Sequence, residues 1–117
     1  PSLDFRNKFH QDHIFPKSLF TAKRLQKYGI PDADIQFYLE NYNCIANLQL
    51  LEGIPNQEKS GKEFSKWILE KYPNENDRKQ YMERHYIPDC SLEMTNFREF
   101  IEKRKRLIAD AFKKLIE

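Results

Sequence analysis

Glycine is scarce, with three in 117 residues. That disfavours a glycine-rich phosphate loop and any barrel built on many tight turns. Cysteine is nearly absent. Cys44 and Cys90 stand far apart and form no C-x-x-C pair, which excludes a zinc ribbon or knuckle. They read as two reduced thiols in a cytoplasmic protein. No apolar run approaches the roughly 20 residues of a membrane span, so no membrane partner is expected. Neither sign of charge dominates: 20 basic and 18 acidic residues leave a net charge of +2. Residues 1–60 carry 7 of each sign, and residues 61–117 carry 13 basic and 11 acidic. There is no basic tail, and bulk charge does not point to nucleic acid. The chain starts at Pro1, without an initiator Met or a signal peptide, and reads as a piece of a longer protein or a processed product.

What is present is core material. Nine Phe, six Tyr and one Trp, with 39% hydrophobic residues overall, argue against a disordered tail. The length fits one domain over 1–117, able to bury roughly two-thirds of its unfolded surface without disulfides.

Periodicity predicts an α+β, mainly α, fold. FHQDHIFP at 9–16 reads as a short strand running into a turn at Pro16. Residues 18–28 read as a helix with Leu19, Ala22 and Leu25 at helical spacing and Gly29 as its C-cap. Asp32 is expected to cap a second helix with the stripe Ile35, Tyr38, Leu39 and Tyr42. IANLQLL at 45–51 reads as a second strand, and EGIPNQEKSG at 52–61 as a loop. Ser60 and Glu63 have capping-box spacing before Phe64, Trp67, Ile68 and Tyr72, and Pro73 stops that helix. A helix over 75–86 comes next. The last helix, 96–116, opens on Asn96 and Glu99, with Phe97, Phe100, Ile101, Leu107, Ile108, Ala111 and Leu115 expected to face inward. It would run about 30 Å.

The pieces FHQDHIFPKS, IANLQLL and NQEK closely resemble the HNH endonucleases, the ββα-metal nucleases. Asn47 and Asn56 are nine apart, as in the HNH domain of RNA-guided DNA nucleases. RHYIPD at 84–89 with FREFIEKRKRLI at 97–108 looks like the C-terminal HNH region of GmrSD-type modification-dependent restriction proteins. The resemblance spans nearly the whole chain and implies an HNH core, a short two-stranded hairpin with surrounding helices. It implies a metal-dependent endonuclease that hydrolyses DNA phosphodiester bonds in a restriction or phage-defence protein. It also implies an N-terminal domain of the same full-length protein as partner.

The residue types suit that chemistry. Histidine is the side chain whose ordinary pKa lies near neutrality, so His13 can take a proton from water. Asp12 offers an anionic oxygen and Asn56 an amide oxygen to one hard divalent cation, which the resemblance implies is Mg²⁺, with Mn²⁺ second. Such a thin ligand shell leaves positions open for water and phosphate. Asn47, by the resemblance, braces the loop and helps orient His13. The third motif position is Asn56 rather than His, which disfavours softer metals. The 44 residues from Asp12 to Asn56 exceed a compact motif, and the two helices of 17–42 absorb the excess.

Further contacts are weighed more evenly. His10 shares a strand face with Asp12 and reads as a metal or phosphate contact or as a structural residue. Lys59 and Lys62 flank a helix start that favours anions and read as phosphate contacts or solvated cations. Lys103–Arg106 spreads around a helix and reads as solvated or, where the helix end lies near the cleft, as contacts to the DNA backbone. His85 reads as packing, or as an imidazolium at a helix C-terminus. The competing function is a non-catalytic nucleic-acid-binding module that keeps the HNH fold. A helical interaction domain with an accidental motif is the remaining reading.

Overall fold

In the computed structural model, residues 9–52 and 61–116 are described. The fold is α+β and mainly α, with one antiparallel two-stranded hairpin and a long C-terminal helix. Strand β1 (Phe9–His13) pairs with β2 (Leu48–Glu52), from Phe9 opposite Glu52 to His13 opposite Leu48. The connection between them carries α1 (Ala22–Lys27) and α2 (Asp32–Asn41). After β2 come α3 (Phe64–Lys71), α4 (Glu75–Arg84) and α5 (Phe97–Ile116).

The two residues after β1 anchor its end in the core. Ile14 and Phe15 are fully buried. The Phe15 ring lies 4.7 Å from Phe100, 5.3 Å from Phe97 and 5.9 Å from Phe64, centroid to centroid. One side chain thus ties the strand end to α3 and α5, and aromatic contacts at these separations add to plain area burial. A second cluster joins α3 to α4: Tyr81 lies 5.8 Å from Trp67 and 4.8 Å from Tyr72. The expected face Phe64, Trp67, Ile68 and Tyr72 is the packed face of α3, with Tyr72 half-buried. Cys44 and Cys90 are free, half-buried thiols.

Several boundaries differ from the sequence expectation. Residues 45–47 form a single 3₁₀ turn and β2 starts at Leu48. The segment expected as one helix over 18–28 divides into a 3₁₀ turn, Lys17–Leu19, and α1, because the Thr21 hydroxyl accepts from Arg24 N–H and restarts the helix. Helix α3 begins at Phe64 with Glu63 itself at the N-cap, so Glu63 cannot serve as the third residue of a capping box; Ser60 lies outside the described residues. Pro31, not Asp32, precedes the first turn of α2. Helix α4 ends at Arg84. On α5 the inward face is shorter than its periodicity predicts. Phe97, Phe100 and Ile101 are buried, whereas Leu107 and Leu115 are exposed, because the last turns run past the edge of the core. Arg104, expected in a solvated basic run, is buried.

Candidate active site

Asp12 and His13 are the last two residues of β1, so their side chains leave opposite faces of the strand. Asp12 points inward and is 5% exposed. Its Oδ2 accepts from Gln49 Nε2 at 2.9 Å, directly across the ladder. Gln49 Oε1 in turn accepts from the Tyr81 hydroxyl at 2.9 Å. The amide is thereby held at both ends, since reversing it would face donor to donor and acceptor to acceptor. Burial, and behind it the Asp12 charge, push the Tyr81 hydroxyl far above its ordinary range, so it stays a donor.

His13 is half-buried on the other face, with its ring 6.1 Å from that of Tyr42. Its Nε2–H donates to Asn43 Oδ1 at 2.6 Å. In that tautomer the ring lone pair lies on Nδ1.

Asn47 sits in the 3₁₀ turn before β2 and is completely buried. Its Oδ1 accepts from Phe15 N–H at 2.8 Å, while its Nδ2 donates to Phe15 O at 3.1 Å and Tyr42 O at 2.8 Å. Its backbone carbonyl accepts from Ile14 N–H at 2.8 Å. One side chain thus clamps the backbone just after the Asp12–His13 pair to the segment that carries Asn43.

Beneath that turn lies Arg104, 4% exposed. Its Nη1 donates to the carbonyls of Ile45, Ala46 and Leu48, at 3.3, 3.0 and 2.8 Å, and Nη2 donates to His85 O at 3.0 Å. Burial lowers its pKa to about 10, so it remains charged at neutrality. His85 caps α4 and rests on Tyr81, with rings 4.4 Å apart. Burial, then Arg84 and Arg104, hold its pKa below the ordinary value. It therefore serves as packing and not as an imidazolium at the helix end.

Of the remaining candidates, Lys62 is exposed and pairs with Glu70 at 2.8 Å. The His10 backbone pairs with Leu51 in the ladder. The His10 side chain, Asn56 and Lys59 lie outside the described residues. Among the described residues, no group of three or more His, Cys, Asp and Glu side chains converges as a metal site. Asp12 with Asn56 would be an oxygen-only donor pair, which fits a hard divalent cation rather than a soft one.

Four contributors escaped the sequence reading: Asn43, Gln49, Tyr81 and Arg104. Gln49 carried a signal, because pairing His13 with Leu48 sets Gln49 opposite Asp12. No protein-family model matches the chain, and no curated protein matches it. Among the described residues, no helix is long and apolar enough to cross a membrane.

Proposed function

We propose that this chain is a metal-dependent HNH endonuclease domain that hydrolyses DNA phosphodiester bonds, as part of a restriction or defence protein. The observation that carries the reading is the Asn47 clamp. A fully buried amide spends both its ends on the backbone next to Asp12–His13, which is the role expected of a residue that holds a general base in place. Asp12 and Asn56 would hold the cation, Mg²⁺ by preference. When bound, it supplies Lewis acidity toward the phosphate and stabilises the departing oxygen. His13 Nδ1 takes the proton of the attacking water, and Asn43 fixes the tautomer through Nε2.

One observation favours the second reading, a nucleic-acid-binding module without catalysis. The Asp12 carboxylate is nearly covered and engaged by Gln49, so coordination competes with an existing hydrogen bond. A plasmid-nicking assay separates the two. Wild type is expected to nick with Mg²⁺ or Mn²⁺ and to stop in EDTA. His13→Ala is expected to lower the rate at least about 100-fold while calorimetric Mg²⁺ binding survives. Asp12→Ala is expected to lose both. Equal nicking by wild type and His13→Ala would sink the assignment of the base.

A further inference from the structure

A groove of about 410 Å³ runs along the hairpin beside the candidate active site, on the side of the α4 C-terminus. Its walls include Gln11, Gln49, Arg84, His85, Tyr86 and Arg104, and no carboxylate lines it among the described residues. Gln49 belongs both to this wall and to the hydrogen bond with Asp12, so the groove abuts the candidate catalytic strand.

Two cations face the groove without an acidic partner. Arg84 is exposed and makes no ion pair among the described residues. Arg104 lies deeper. All its hydrogen-bond acceptors are backbone carbonyls, and its buried Nε has no partner among the described residues. Carbonyls satisfy a guanidinium's protons but leave its charge uncompensated. In a concave, poorly solvated wall that charge reaches further than it would at an open surface.

Tyr86 adds an aromatic face. Its φ is 57°, the one left-handed non-glycine backbone among the described residues. An L-residue with a bulky side chain adopts that conformation only at a cost. Packing alone gives little return for it, because Tyr86 is 46% exposed. What the arrangement achieves is an aromatic ring standing at the groove's rim beside Arg84.

Exposed cation, aromatic face and the exposed Gln11 amide in one open groove match the chemistry of a nucleotide: a phosphate, a base to stack on and a base edge to hydrogen-bond. The volume suits a bound group of that size. We infer that this groove binds an unpaired stretch of nucleic acid, with Arg84 on a backbone phosphate, Tyr86 stacked on a base, and Arg104 providing fixed positive potential from below. The inference deepens the nuclease reading and rests on it for the identity of the substrate strand; binding itself is measured separately from cleavage.

The probe is a short fluorescein-labelled single-stranded oligothymidylate, titrated by anisotropy with the whole chain in EDTA so that no cutting intervenes. Arg84→Ala is expected to weaken binding and to reduce the slope of log K against log salt by about 0.7, one single-strand phosphate contact. Tyr86→Gly is expected to weaken binding about ten-fold. Tyr86→Phe keeps the ring and is expected to stay within about two-fold of wild type. Folding does not obscure the result, since Arg84 is exposed and glycine suits the Tyr86 backbone. Wild-type affinity in both Arg84→Ala and Tyr86→Gly overturns the inference. Equal binding of a polyglutamate peptide, unchanged by Tyr86→Gly, also overturns it, because the groove would then be an acidic-peptide site. If the oligonucleotide binds in the expected pattern and the same preparation cuts no DNA with Mg²⁺, the groove assignment stands and the nuclease reading falls.

Discussion

Arg104 shows how one side chain can organise a site it does not touch. Its four hydrogen bonds all end on carbonyls, three of them within residues 45–48 and one on His85. The turn that presents Asn47 is therefore bolted from below to α5 and to the end of α4. Replacing Arg104 with Met removes the donors and leaves those carbonyls buried, an expected loss of about 2–3 kcal/mol. Arg104→Lys is expected to recover only part of it, because a single ammonium cannot reproduce a planar fork spread over four acceptors. Urea unfolding checks both, read as a shift in midpoint at constant slope. The role was not legible in the sequence, where Arg104 is one of four consecutive cations and only three-dimensional packing distinguishes it. Asp12, His13 and Asn47 were legible because their arrangement is local to two strand ends. Asn43 and Tyr81 were not, since a turn and a distant helix bring them in.

Two helices close with the same hydrogen-bond pattern on different residues. At the end of α1, Gly29 N–H bonds Gln26 O and Ile30 N–H bonds Leu25 O; at the end of α4, Tyr86 N–H bonds Glu83 O and Ile87 N–H bonds Met82 O. Both are Schellman closures, which need a left-handed residue, and glycine is the usual occupant. Gly29 has φ 82° and open space where a Cβ would lie. Gly29→Ala is thus a pure backbone cost, expected at about 1 kcal/mol. Tyr86→Gly removes a comparable cost but gives up the covered half of the ring, so a change within about 0.5 kcal/mol is expected. Thermal melts of the two variants should therefore differ clearly although they act on one motif. The α1 stop was readable from its glycine. The α4 stop was not, because a tyrosine at that position carries no such signal. The early turn at 45–47 was missed for a related reason: its Ile and Ala look like strand residues, and the Arg104 guanidinium makes them a turn by gathering their carbonyls.

For the whole molecule, the near-balanced charge conceals groups whose ionisation is set by burial or by a hydrogen bond, and these give stability a direction with pH. His85 is pressed below its ordinary pKa by burial first and by Arg84 and Arg104 next. The folded state therefore binds fewer protons there than the unfolded chain does. Its contribution is complete above about pH 6.5 and is lost as pH falls through the lower folded value. Glu63 has the same sign at lower pH. The Tyr28 hydroxyl first, and Lys66 after it, hold its carboxyl below the ordinary value, opposed by burial. Its contribution is present above about pH 4.3 and disappears as pH drops through the folded pKa. Acid thus destabilises in two steps, the imidazole first and the carboxylate second. His85→Phe keeps a ring against Tyr81, 4.4 Å away in the native pair, and cannot accept a proton. Chemical unfolding from about pH 7.5 to 5 should show wild type losing more stability than this variant. Below about pH 4.3 the two curves should fall in parallel, because Glu63 is intact in both. If the variant instead lost stability as steeply as wild type across the upper interval, the proton uptake would belong to another group and His85 would be packing without a pH role.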